Sequence, residues 1–404
     1  MPEDLQPTQP VSRGWTARFS LAWFGLWMGY LVPVQLALPD QLDALDHAHR
    51  VRDFGLINGL IGIAALITLP LFGALCDRTR SRFGRRRSWM VAGTLVFAIG
   101  LVATGLAGSA LGIAVGWLVA SLGVNMATAG LTATIADEVP DQQRGMVSSA
   151  IYGPQALGVV VGLIALDPVK SAGPRYALLA IAVLLLLWPF SLHYKDIPAP
   201  MRAEPVSLRA IATGLWIRNA DFGWAFGGRL LVNLGNAFGT TYLLFFLRDY
   251  LKVSDPDGSL IVLTLIYLIF TLAATYGGGL LSDRWQRRRV FVGLAATLQA
   301  IAALLLTIDP TYGNALVAAA FLGAGYGAYM SVDQAVVTEV LPDARDRAKD
   351  LGIMNVGSVG PQAFGPLAAS LIIGALGGYR VLFGLAGLTS LVGAWMVYRI
   401  KAIR

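Results

Sequence analysis

Gly73-Ala-Leu-Cys-Asp77-Arg78-Thr-Arg80-Ser-Arg82-Phe-Gly84-Arg85-Arg86-Arg87 sits directly between two apolar stretches. The pattern is a small residue and an aspartate closing one helix, then an arginine cluster opening the next. A shorter copy, Gly279-Leu-Leu-Ser-Asp283-Arg284-Trp-Gln-Arg287-Arg288-Arg289, lies 206 residues later, again between apolar stretches. Two further pairs follow in the same order. Asp137-Glu-Val-Pro140-Asp141 is matched by Glu339-Val-Leu-Pro342-Asp343, and Gly153-Pro154-Gln155-Ala-Leu-Gly158 by Gly360-Pro361-Gln362-Ala-Phe-Gly365. Matches at nearly constant offset predict a chain made of two related halves.

Composition says which solvent those halves face. The 404 residues are 56% hydrophobic and only 14% charged, with a mean hydropathy of +0.63. So few charges do not cover a water-soluble surface of this size, so a bilayer is expected to surround much of the chain. Apolar runs of about 20 residues cross a ~30 Å hydrocarbon layer as helices. Twelve are expected, near 17–37, 55–75, 88–108, 110–136, 146–166, 175–194, 223–246, 259–281, 290–308, 313–340, 351–375 and 379–400. The interval 195–222, with Pro198, Pro200 and Pro205, reads as a solvated linker holding a short interfacial helix near Leu208–Ile217. The expected domains are therefore 1–194, a linker 195–222, and 223–404. The N-terminus resembles no cleavable signal peptide, so the first helix is expected to be retained.

Lysine and arginine set the expected orientation. With both termini cytoplasmic, 23 of the 31 basic residues fall on the cytoplasmic side and seven outside; Arg229 alone lies within a span. That predicts a multi-pass protein of the cell inner (plasma) membrane. The same distribution excludes nucleic acid as the partner behind the net charge of +7, since the arginines occupy short loops. One cysteine, Cys76, excludes an internal disulfide and any cysteine-based metal centre. Asp43, Asp46, His47 and His49 share one loop without further ligands nearby, so no metal or cofactor is expected. No nucleotide-binding loop is present in the sequence, which excludes ATP-driven transport within this chain.

The Gly-x-x-x-Asp-Arg loops and their duplication make nearly the whole chain resemble the major facilitator superfamily. The extended arginine run resembles, more narrowly, the glycoside–pentoside–hexuronide symporters and the sucrose transporters. The resemblance implies an all-α integral membrane fold of twelve transmembrane helices in two pseudo-symmetric six-helix bundles. It implies a non-enzymatic secondary transporter in which helices 1, 4, 7 and 10 line a central cavity, with alternating access around it. The implied substrate is a sugar or glycoside; an amphipathic drug or natural product, exported against protons, is the alternative.

Polar stripes fall on those helices. Helix 7 carries Arg229, Asn233, Asn236 and Thr240 at i, i+4, i+7 and i+11, which is one face. Helix 4 carries Ser121, Asn125, Thr128 and Thr132; helix 10 carries Tyr326, Tyr329 and Asp333; helix 1 carries Trp23, Trp27 and Tyr30. Tyr152 and Gln155 on helix 5, and Asn355, Ser358 and Gln362 on helix 11, support them. Such residues also serve as plain helix–helix hydrogen-bond partners, and both readings stand at this point. The expected substrate contacts are Trp27, Asn125, Tyr152, Arg229, Asn233, Asn236, Tyr329 and Asn355.

Arg229 and Asp333 lie at similar depths, about six or seven residues or roughly 9 Å from their helix ends. They are expected to pair, or to alternate between each other and a ligand, and so to carry proton coupling. The melibiose-type symporters bind their coupling cation through carboxylates in helices 2 and 4. Here helix 2 has no acid before Asp77 within its span and helix 4 none before Asp137, which argues against sodium coupling of that kind. Asp77, Arg78, Arg85, Asp137 and Arg144, with Asp283, Arg284 and Glu339 in the second half, are the expected cytoplasmic gate. Arg80, Arg82, Arg86 and Arg87 read as loop solvation. The expected partners are a small-molecule substrate, lipid and a proton. Gly158/Gly162, Gly235/Gly239 and Gly323/Gly327 are read as close packing within a monomer.

Overall fold

The computed structural model describes residues 10–194, 196, 220–285, 288–340 and 347–401. Among the described residues, twelve long rods follow one another: α1 (Arg13–Leu45), α2 (Arg50–Arg78), α3 (Arg85–Leu106), α4 (Ala110–Glu138), α5 (Asp141–Leu166), α6 (Ala172–His193), α7 (Ala220–Tyr250), α8 (Pro256–Trp285), α9 (Arg288–Ile308), α10 (Tyr312–Val340), α11 (Arg347–Ala375) and α12 (Gly378–Tyr398). Eleven are long and apolar enough to cross a membrane. The remaining one, α5, contributes a shorter apolar section, Gly153–Leu166. The expected helix near Leu208–Ile217 lies outside the described residues.

Local chemistry starts and bends the rods. Ser12 caps α1 by accepting the Trp15 amide, and Ser109 caps α4 by accepting that of Gly112. The first rods of the two halves, α1 and α7, each carry a π-helical turn, at Pro33–Ala37 and Phe246–Tyr250. Proline lies inside α2 (Pro70), α5 (Pro154), α6 (Pro189) and α11 (Pro361, Pro366), where it removes a backbone donor. Buried hydroxyls return to their own helix: Thr94 to the Met90 carbonyl and Thr104 to that of Gly100, both at 2.7 Å.

The chain forms two compact units. The first comprises residues 1–50 and 64–205; the second comprises 51–63 and 206–404. Small residues set the packing of each. In the first, Gly93, Gly100 and Gly123 join α3 to α4 so tightly that an added Cβ would lie 2.4, 2.2 and 2.2 Å from the amide nitrogens of Ala127, Ala120 and Phe97. In the second, a Cβ on Gly323 or Gly327 of α10 would meet the Tyr267 or Thr271 carbonyl of α8 at 2.2 Å. The opening turns of α2 also belong here: a Cβ on Gly62 would sit 2.2 Å from Ala363 Cα on α11. Backbone contact of this kind replaces the hydrophobic drive that is missing between helices in lipid.

Candidate functional site

Two polar clusters stand out, one in each unit. The second unit holds its cluster within the spans. Arg229 on α7 and Asp333 on α10 form an ion pair, Nη2 to Oδ2 at 3.1 Å. Both are nearly fully buried, at 5% and 4% exposure. The Tyr329 hydroxyl, one helical turn before Asp333, donates to its Oδ1 at 2.7 Å. Tyr329 belongs to a buried apolar cluster with Val232, Val332, Val336 and Met354. An ion pair in such surroundings carries a large desolvation penalty and stands only while both charges are matched. Arg229 Nε–H is buried without an acceptor.

The rest of the α7 stripe is engaged by tyrosines. Asn233 donates to the Arg229 carbonyl at 2.8 Å and accepts the Tyr326 hydroxyl at 3.2 Å. Asn236 accepts the Tyr267 hydroxyl of α8 at 3.1 Å, and Thr240 bonds back to the Asn236 carbonyl. Asn233 is therefore held in place by groups of its own unit. Tyr267 was not foreseen; its place opposite Asn236 depends on how α8 packs, which no local pattern encodes.

The first unit holds its charges at helix ends. Arg86 is 5% exposed and reaches three groups. Its Nη1 donates to Asp77 Oδ1 at 2.5 Å and to Cys76 Sγ at 3.4 Å, and its Nε donates to Asp137 Oδ2 at 2.8 Å. Arg85 joins the same Asp137 oxygen at 3.2 Å. The reading of Arg86 as a solvated loop residue is thus corrected: it is the buried hub. Its signal was available, because Arg86 continues the inward face of α3 that carries Met90, Gly93 and Phe97. Asp77 meets Arg86, while neighbouring Arg78 is exposed.

Two long-range contacts complete this cluster. The Asp196 carboxylate accepts the amides of Arg86 (2.8 Å) and Arg87 (3.1 Å), capping the orphan donors that open α3. Gly84 makes room for it: φ is +99°, and a Cβ there would lie 2.0 Å from Asp196 Oδ2. The Trp15 indole N–H donates to Glu138 at 2.6 Å. Burial pushes the Glu138 carboxyl above its ordinary value, against the Trp15 hydrogen bond, which favours the carboxylate. Burial likewise raises the Tyr194 hydroxyl, helped by Glu138, Asp137 and Asp196.

The other expected residues are placed as follows. Asn125 donates to Thr68 of α2 at 2.8 Å, and Thr132 returns to the Thr128 carbonyl. Trp23 and Trp27 stack at 5.9 Å, and Tyr30 stacks on Trp117 at 5.5 Å. The Trp27 indole N–H is buried without a partner. Arg284 is exposed. The side chains of Tyr152, Arg144, Asp283, Glu339 and Asn355 lie outside the described residues.

A duplicated membrane-spanning helical chain, with the buried Arg229–Asp333 pair between α7 and α10 and an aspartate–arginine network where α2, α3 and α4 meet the loops, defines a multi-pass carrier. A family model described as Major Facilitator Superfamily matches residues 15–254 and 225–402. The chain belongs to the Major Facilitator Superfamily, and it is a transporter of that type rather than an enzyme. Over 112 residues it is 31% identical to the probable 4-methylmuconolactone transporter of Cupriavidus pinatubonensis (strain JMP 134 / LMG 1197). That match covers 28% of this chain and 26% of the relative, so the chain spans about a quarter of that relative's length. The fold is similar to that of the nucleoside transporter NupG (TM-score 0.74, 16% identity, 96% of this chain and 99% of that one). It is also similar to that of the xylose transporter XylE from E. coli (0.70, 16%, 96% and 96%). A POT family transporter in complex with 5-aminolevulinic acid gives a TM-score of 0.76 at 12% identity, covering 98% of both chains. At these identities the likeness establishes the fold.

Proposed function

We propose that the chain is a proton-coupled secondary carrier of a small, oxygen-rich organic solute, working by alternating access as a monomer. The observation that carries this reading is the buried Arg229–Asp333 pair. A carboxylate held in an apolar core by one cation has two acceptable states. It is ionised while the arginine faces it, or protonated once the arginine faces something else. That exchange links a proton to a ligand, which is what a coupled carrier needs. The sugar or glycoside class implied by the arginine loop is compatible with the hydroxyl and amide groups of the α7 stripe. Export of an amphipathic compound is the second reading, favoured by the absence of acids between Asp53 and Asp77 in α2 and ahead of Asp137 in α4.

The Asp77–Arg86–Asp137 network is proposed as a latch made in one access state and broken in the other. In the proposed topology it is cytoplasmic, in an inner (plasma) membrane, with both termini on the same side. The test is a thermal-shift screen of the purified protein across sugars, glycosides and small organic acids. It is followed by proteoliposome uptake of any hit with and without an imposed pH gradient. Accumulation is expected only with the gradient; a hit that equilibrates identically either way overturns proton coupling.

A further inference from the structure

Arg229 is under-used for its depth. Its ion pair with Asp333 is made through Nη2, and its buried Nε–H has no acceptor. A guanidinium offers a planar fork of donors that matches the two oxygens of one carboxylate. Asp333 meets that fork from Oδ2, while its Oδ1 accepts from Tyr329 and the arginine Nε–H stays without an acceptor. Asn233 does not fill it. Its amide goes to the Arg229 backbone carbonyl and its oxygen to Tyr326. An unmet donor on a buried charged group is costly, so the site holds recognition capacity that its own residues leave unused.

We propose that Arg229 anchors the substrate, and that the substrate is a small organic carboxylate whose two oxygens take the fork Asp333 meets with one. This rests on the transport reading above and names its substrate class. Charge and protons balance. Before binding, the site holds one cation and one anion. When the substrate carboxylate pairs with Arg229, Asp333 loses its cation and takes one proton from water, so the loaded site is again neutral. Tyr329 stays within hydrogen-bond reach of the protonated acid. Among the described residues, the titratable groups facing Asp333 are Arg229 from α7 and Tyr329 from its own helix. A neutral solute brings no anion and gives Asp333 no reason to leave the arginine.

Two matched pairs test this by calorimetry and thermal shift on the purified full chain: benzoate against benzamide, and glucuronate against glucose. At least one carboxylate is expected to bind about tenfold or more tighter than its neutral partner, the scale of one charge-assisted hydrogen bond. Asp333→Asn, which removes the internal competitor, should tighten that carboxylate further. Arg229→Gln alone leaves Asp333 buried without its cation and risks misfolding. The neutral double variant R229Q/D333N avoids that charge, and it should lose the preference. Equal binding of both members of each pair overturns the proposal. So does a preference surviving in the double variant, or no response to either carboxylate in the millimolar range. An unchanged carboxylate affinity in Asp333→Asn also overturns it and leaves a purely structural pair. Carboxylate binding without proton flux would sink the coupling reading and spare this one. Proton-driven uptake of neutral solutes alone would do the reverse.

Discussion

Two buried charge clusters, one from each unit, differ in their place along the helices and in their number of partners. The first buries Arg86 where α2, α3 and α4 end, among Asp77, Asp137 and Arg85. The second buries Arg229 and Asp333 inside the spans, where one cation meets one acid. The difference lies in redundancy. Arg86 has two acidic partners and a thiol, and it sits beside the exposed stretch of loop that includes Arg78 and Arg80. Losing one contact there leaves others. Among the described residues Asp333 has one cation and one tyrosine, so a change at Arg229 acts directly on its protonation. A redundant cluster suits a latch that must hold and release, and a minimal pair suits a switch.

Substitutions can break or sharpen that contrast. Arg86→Gln should have the largest effect on stability, about 3–5 kcal/mol, because it leaves Asp77 without its cation and Asp137 with Arg85 alone. Thermal unfolding in detergent reads this as a large fall in the melting midpoint. Arg229→Gln should cost about 3 kcal/mol. Adding Asp333→Asn should restore most of that loss, whereas adding Asp77→Asn to Arg86→Gln should restore only part, since Asp137 still lacks its shorter contact and keeps Arg85 alone. Equal rescue in both units would erase the proposed difference in redundancy. Gly323→Ala should destabilise by roughly 1–3 kcal/mol, because its Cβ would overlap the Tyr267 carbonyl at 2.2 Å.

Smaller effects probe the frame of the first cluster. Asp196→Ala should cost about 1 kcal/mol through the lost cap on α3. It should also loosen Arg86 without removing it, so transport should change more than folding. Gly73→Ala has no heavy atom within 4 Å of the added methyl and lies inside α2. It should be neutral or slightly stabilising, within about 1 kcal/mol. A strong loss there would mean that Gly73 meets another group in a second conformation.

The helical frame was legible because apolar runs of spanning length and duplicated loops are local signals. The pairing of Arg229 with Asp333 was legible as well. A charge inside a span has few places to go, and both fall at similar depth. The hub role of Arg86 was encoded in its helical phase with Met90 and Gly93, but the surrounding arginines masked it. The Asp196 cap was not legible, since it joins residues 110 apart through backbone amides that every sequence has. The tyrosine partners of Asn233 and Asn236 were hidden for a related reason. Phase along α7 says which residues share a face, while the opposing group is set by the rotation of α8 and α10 about their own axes. The π turns at Pro33–Ala37 and Phe246–Tyr250 likewise have no shared sequence mark, since only the first contains proline.

The most direct test compares Asp333→Asn with Asp77→Asn in the same proteoliposomes, using one transported solute. Gradient-driven accumulation is measured beside counterflow exchange at equal pH. Asp333→Asn is expected to lose accumulation and keep exchange, because only the link between proton and solute is removed. Asp77→Asn is expected to slow both in proportion while equilibrium binding stays within a few-fold, because it shifts the populations of access states. Undiminished pH-driven accumulation by Asp333→Asn, or loss of accumulation with intact exchange in Asp77→Asn, would contradict the assignment of switch and latch to these two units.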